Sequence, residues 1–193
     1  MFIIQKYINL SNTPSDINEH LPTLFELAKE VSSIVEMGTR HCNSTTAFLA
    51  AIADTDKTLI SYDLYRSPSV DECEKIKNFK FYKEDTLNLT ISNTDLLFID
   101  TLHTYFQLTN ELNLHSKNVN KYIVLHDTAI YAHIDEALYP VNECSVASNK
   151  IKQGEKRGIK NALDDFLLQG DGLNWFIYKV YENNNGLTIL KRK

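Results

Sequence analysis

The chain has 193 residues, enough for one domain with a sizeable core. Its 20 Lys and Arg against 25 Asp and Glu give a formal charge of -5 and a pI near 5.7, so no diffuse basic surface is present and a nucleic-acid substrate is disfavoured. Met1 to Leu10 carries apolar residues but is broken by Gln5, Lys6 and Asn9, and no apolar run is long enough to span a bilayer, so no membrane contact and a cytoplasmic location are expected.

Residues Asp16 to Glu30 read as the first helix of an N-terminal helical segment (1–31), with Ile17, Leu21, Leu24, Phe25 and Ala28 on one face and Pro22 delaying the start. Short apolar runs then read as five parallel strands: Ser33 to Met37, Thr58 to Asp63, Phe79 to Tyr82, Asp95 to Asp100 and Lys121 to His126. Crossover helices are expected over Ser44 to Ala53 and over His103 to Ser116, where Tyr105, Leu108 and Leu112 recur at helical spacing. A long irregular segment, Thr128 to Arg157, precedes a helix with Ile159, Ala162, Leu163, Phe166 and Leu167 inward, and a segment of that length inside a compact domain is usually functional or mobile. The end reads as a hairpin, Asn174 to Tyr181 and Leu187 to Lys191, turning through Asn183-Asn184-Asn185-Gly186. Strands alternating with helices make this an α/β fold: a doubly wound, mostly parallel, Rossmann-like sheet with helices on both faces and a C-terminal antiparallel hairpin. The cysteines Cys42, Cys73 and Cys144 form no close pair and no metal-type spacing, which fits a reducing compartment and argues against a structural zinc or a disulfide framework.

In such a sheet ligands bind outside the carboxyl ends of the strands, and the polar residues of this chain fall there. Strand one runs into Glu36-Met37-Gly38-Thr39-Arg40-His41-Cys42-Asn43-Ser44, and strand two ends at Asp63, at a distance from Gly38 that suits a carboxylate binding ribose hydroxyls. Asp63 alternatively caps the segment through Ser67 and Pro68. Glu84 and Asp85 follow strand three, either beside a ligand or as a helix cap. Strand four ends in Asp100-Thr101-Leu102-His103-Thr104-Tyr105 and strand five in His126-Asp127-Thr128. His103 beside Asp100 at a strand end is where perturbed titration is expected. Arg40 and His41 either meet a ligand carboxylate or face solvent. His20, His115 and His133 read as structural or surface residues, and Cys42 as a small buried filler.

Val35-Glu36-Met37-Gly38-Thr39-Arg40, Phe98 to Tyr105 and Val124 to Thr128 together resemble class I S-adenosylmethionine-dependent methyltransferases, in particular the cephalosporin hydroxylase and macrolide-sugar O-methyltransferase group, from about Pro14 to the end. The resemblance implies S-adenosyl-L-methionine as cofactor. Its methionine part would meet Glu36, Gly38 and Thr39, in a cofactor loop that also includes Arg40 and Ser44. Asp63 would take the ribose, and Glu84 or Asp85 the adenine side. The resemblance also implies a divalent metal, Mg2+ or another ion, on Asp100 and Asp127, with His103 as general base. Two positions depart from the group: Cys42 stands where a second loop glycine is usual, and His126 where a second acid is usual, which makes His126 a third candidate metal ligand.

The expected chemistry is methyl transfer from a sulfonium to a hydroxyl of a small-molecule or sugar acceptor, with residues 128–157, including Tyr131, His133, Asp135 and Tyr139, as the acceptor lid. A nicotinamide-dependent oxidoreductase is disfavoured because the first loop lacks the three-glycine pattern. The other rival is a non-catalytic S-adenosylmethionine-binding or scaffold protein.

Overall fold

The computed structural model describes residues 2–136 and 157–193. One sheet holds seven strands in the order β3-β2-β1-β4-β5-β7-β6. The strands β1 (Ser33–Met37), β2 (Thr58–Asp63), β3 (Phe79–Lys83), β4 (Thr94–Ile99) and β5 (Val119–His126) are parallel, as their apolar runs predict. The hairpin β6 (Trp175–Tyr181) and β7 (Leu187–Arg192) joins with its second strand antiparallel to β5, so β6 forms the edge. Its turn uses the foreseen residues: Asn184, Asn185 and Gly186 have φ of 48°, 69° and 97°, left-handed values that Asn and Gly adopt at least cost.

Strand alternation divides the core into two layers. Ile34, Leu96, Phe98 and Val124 face α1 (Phe2–Ser11), α2 (Leu21–Lys29) and α3 (Asn43–Ile52). Val35, Leu97, Ile99 and Ile123 face α5 (Tyr105–His115) and α6 (Ile159–Leu167). The helix expected over Asp16 to Glu30 is a 3-10 turn, Asn18–His20, followed by α2 with Pro22 in its first turn, where a missing N–H is harmless. Two helices were not legible in the sequence. The first, α1, buries only Ile3, so its apolar pattern is thin. The second, α4 (Ser69–Cys73), buries just Val70 and Cys73, too short a repeat for a periodic signal. Among the described residues no helix is long and apolar enough to cross a membrane.

The order reverses between β1 and β4, and there the strand ends open the crevice such sheets use for ligands.

Candidate active site

The loop from β1 to α3 is shaped by close approach of backbone to backbone. Gly38 has φ of 87°, and a Cβ there would lie 2.0 Å from the Asp100 carbonyl oxygen, so only glycine lets the β1 and β4 ends meet. Arg40 and Cys42 follow with φ of 41° and 63°. Asp63, at the end of β2, holds this loop. Its Oδ2 accepts from Thr39 N–H (2.8 Å), Thr39 Oγ1 (3.1 Å) and Arg40 N–H (3.0 Å), and its Oδ1 from Tyr65 N–H (2.9 Å). Three donors share Oδ2 and one reaches Oδ1, so Oδ1 is the less engaged oxygen.

A cavity of about 500 Å³ lies over these strand ends, with Gly38, Asp63, Tyr65, Asp85, Asp100 and Gln107 in its wall. Arg40, His41 and Glu84 also line it, and the Arg40 guanidinium is paired with Asp16 at 2.7 Å. Asp85 lines the cavity, and its Oδ1 accepts from Leu87 N–H (3.0 Å) in a turn, so it caps no helix.

Three expected cofactor residues, Glu36, Thr39 and Ser44, do not line this cavity. Alternation along β1 turns Glu36 toward α3 with Ile34, and its carboxylate accepts from Ser44 Oγ (2.6 Å), Thr45 Oγ1 (2.7 Å) and Ser61 Oγ (2.5 Å). Burial pushes the Glu36 carboxyl up to about 7, against those three hydroxyls. Direct cofactor contact by Glu36 and Ser44 is therefore not what this geometry offers; they brace the loop from beneath.

At the ends of β4 and β5 five titratable groups converge. Register pairs Ile99 with Leu125, which sets Asp100 beside His126. His103 Nε2 lies 3.2 Å from Asp100 Oδ1 and 3.1 Å from Asp127 Oδ2, while its Nδ1 faces Glu136 Oε2 at 2.9 Å. Its ring stacks on Tyr131, with centroids 5.0 Å apart and planes at 5°. Burial alone would lower the His103 pKa, but hydrogen bonds to Asp100 and Glu136 and the nearby Asp127 charge raise it to about 10. Asp100, despite burial, is held well below the usual carboxylate range by His103 and His126. The surrounding carboxylates thus favour the protonated ring, a perturbed titration of the kind expected at this strand end.

Asp100, His103 and Asp127 each offer a ligand atom, all within 4.8 Å of one another. His103, expected as a base beside the ion, takes the place in this cluster that the sequence reading gave to His126. His126 points to the α2 face, as Tyr122 and Val124 do, where its ring is 5.7 Å from that of His20, and only Nδ1 reaches Asp100 Oδ1 (3.2 Å). Asp127, at φ of 57°, turns back toward His103.

Several site residues escaped the sequence. Glu136 lies in the irregular segment, with its N–H on the His103 carbonyl (2.9 Å). The buried Glu111 accepts from Thr86, Thr101 and Gln107; its signal was a polar pair at i, i+4 beside the apolar stripe of α5. Of the expected lid, Tyr131 supports His103, His133 is exposed, Asp135 braces Tyr105 N–H and Gly158 N–H (2.8 Å each), and Tyr139 lies outside the described residues. His20 and His115 are buried and bonded to backbone carbonyls, as structural residues should be.

No protein-family profile matches the sequence, and no curated protein matches it. Solved structures do. The O-methyltransferase TomG of Streptomyces achromogenes, in complex with S-adenosylmethionine, is 14% identical over 99% of this chain and 89% of its own, with a TM-score of 0.60. An O-methyltransferase of Bacillus cereus, bound to SAH, is 11% identical over 100% and 91%, at 0.60. The SAH-bound methyltransferase PaMTH1 of Podospora anserina is 17% identical over 99% and 88%, at 0.59. At these identities the likeness is one of fold, a mostly parallel Rossmann-like sheet shared with these methyltransferases.

Proposed function

We propose that the protein is an S-adenosylmethionine-dependent O-methyltransferase acting on a hydroxyl of a small molecule or sugar, assisted by a divalent ion. The observation that carries this reading is the convergence of Asp100 and Asp127 on His103 Nε2, with Asp100 also in the wall of a cavity that reaches Asp63.

The residues suit both bound groups. The less engaged Oδ1 of Asp63 and the open wall over Gly38 suit a nucleoside with its ribose at the end of β2. Two carboxylate oxygens and an imidazole nitrogen suit a divalent ion, and the nitrogen favours manganese, cobalt or zinc over magnesium. Such an ion supplies positive charge that favours the ionised form of a hydroxyl. In the transfer, the acceptor oxygen bonds to the methyl carbon as the carbon–sulfur bond breaks, its electron pair returns to sulfur, and the hydroxyl proton passes to His103 Nε2 where that nitrogen is free, or otherwise to solvent. The chain's own part is positioning. Asp63 and its loop hold the donor, and Glu136 and Tyr131 fix the His103 ring, much as partners of a ligand histidine set its tautomer and orientation.

His103 Nε2 serves either the ion or the hydroxyl proton, and metal dependence separates the two roles. Mass spectrometry of the purified protein should find retained S-adenosylmethionine or S-adenosylhomocysteine, and failure of either to bind in calorimetry sinks the methyltransferase reading. Methylation of a polyhydroxyl acceptor panel should vanish in excess chelator and return best with Mn2+ or Co2+. Undiminished activity in chelator would remove the ion and leave His103 as the base, with His103→Ala then costing about 10²-fold or more in rate.

A further inference from the structure

Beyond Asp63 the cavity wall contains Thr86, Thr101 and Gln107, which meet at one buried carboxylate. Gln107 Nε2 donates to Glu111 Oε1 (2.8 Å) and to Thr86 Oγ1 (3.2 Å), Thr86 Oγ1 donates to Glu111 Oε1 (2.7 Å), and Thr101 Oγ1 lies 2.9 Å from both Glu111 oxygens. An ionised carboxylate only accepts. The nitrogen of the Gln107 amide is therefore the end turned to Glu111, with both its hydrogens engaged. The two threonine hydroxyl hydrogens are drawn to the same carboxylate. What this wall has left over is an acceptor: Gln107 Oε1 has no hydrogen-bond partner among the described residues, although the residue lines the cavity and is only 6% exposed.

We propose that Gln107 reads the six-position of a purine, its Oε1 accepting a hydrogen bond from the exocyclic amino group of adenine and rejecting a 6-oxo purine. This rests on the cofactor reading above and extends it to base selectivity. A nucleoside with its ribose at Asp63 would extend its base into this cavity, and at Thr86, Thr101 and Gln107 it would meet a fixed acceptor flanked by threonine hydroxyls already held by Glu111, while the unpartnered hydroxyl of Ser67 belongs to another part of the lining. Against hypoxanthine the same atom faces a carbonyl oxygen, and two acceptors are buried together with no proton between them. Glu111 is a positioning residue, since it acts only by fixing the amide.

The test measures binding of S-adenosylhomocysteine and S-inosylhomocysteine by calorimetry. Wild type should prefer the adenine form by about 10- to 100-fold, the range for one lost buried hydrogen bond. Gln107→Leu should lower affinity for the adenine form while sparing the inosine form, so the ratio approaches one. Gln107→Asn keeps an amide but withdraws it by one methylene; it should reduce the ratio in the same way and serves if the leucine variant folds poorly. The ratio is insensitive to general loosening, which weakens both ligands alike. Equal affinities in wild type, or a ratio that survives both substitutions, would overturn the role of Gln107 and leave the cofactor reading intact. Binding of neither ligand to wild type overturns the cofactor reading itself, and the base reading with it.

Discussion

Buried acids in this domain are answered in two ways. Glu36 and Glu111 meet only neutral donors, hydroxyls and an amide, and both are fully buried. Neutral donors bring no opposing charge, so desolvation prevails and the carboxyls rise to about 7 and about 6. Asp100, only partly withdrawn from solvent, meets imidazoles, which can carry the opposite charge, and it stays well below the usual range. Asp127 falls between: burial raises it while His126 and His103 oppose. Access differs in the same sense, with the Asp100 side chain 25% exposed and the Glu36 residue at 0%. The role of a carboxylate here follows from the charge of its partners and its contact with the cavity. Its place in a motif is a poorer guide, since Glu36 sits in the most recognisable stretch of the chain and is turned away from the cavity.

Gly38 joins the two regions, and its replacement should have the largest effect. Gly38→Val puts a branched side chain at a position where even a Cβ lies 2.0 Å from the Asp100 carbonyl, at a φ of 87° that valine resists. The β1 and β4 ends cannot then meet, and the expected loss is most of the stability of a domain of this size, several kcal/mol. Thermal denaturation without ligand checks this. A variant that melts like wild type and only fails to bind S-adenosylhomocysteine would mean the glycine serves ligand approach alone.

Glu36→Ala leaves the Ser44, Thr45 and Ser61 hydroxyls without their acceptor and should cost about 2–4 kcal/mol in denaturant unfolding. Glu36→Gln retains size and some acceptor capacity, so its cost should be smaller, and its main signature should lie in pH dependence. The folded Glu36 pKa is raised from 4.5 to about 7, so the folded state holds its proton more tightly. The associated stabilisation is fully present below about pH 4.5 and is lost as pH rises through about 7. The Gln variant should flatten the fall in stability across that window. A slope unchanged from wild type would mean Glu36 is ionised throughout, answered by charge as Asp100 is.

The sequence foretold the parallel strands well because each is a short apolar run that ends in polar residues at the carboxyl edge of the sheet. It foretold the strand-end acids Asp63, Asp100 and Asp127 for the same reason. What it could not show was which way a polar side chain in a strand points. Glu36 and His126 both occupy positions facing the α1–α3 layer, and only the placement of the helices reveals that this face is closed. Glu136 was hidden because it stands in an irregular segment with no periodicity to place it. Gln107 and Glu111 were hidden because a polar pair at i, i+4 on a surface helix ordinarily reads as solvated; burial against Thr86 and Thr101 is a tertiary fact.

Cys42 offers the smallest effect and a direct reading of how the loop meets its ligand. Its φ of 63° is a conformation that costs a non-glycine residue about 1 kcal/mol, which Cys42→Gly would relieve. The thiol, however, is fully buried in the layer that also holds Cys73, and its removal forfeits about 1 kcal/mol of apolar burial and packing. The two contributions nearly cancel, so the melting temperature should move by no more than a few degrees. Cys42 does not line the cavity, whose wall on this loop is formed by Gly38, Arg40 and His41. Affinity for S-adenosylhomocysteine should therefore stay within about twofold of wild type, well under the tenfold that corresponds to 1.4 kcal/mol. A tenfold gain would mean that a second glycine lets the loop backbone close on the ligand. A tenfold loss would mean that the buried thiol, by holding α3 against α4, sets the position of Gly38 and Asp63 more tightly than their own hydrogen bonds do.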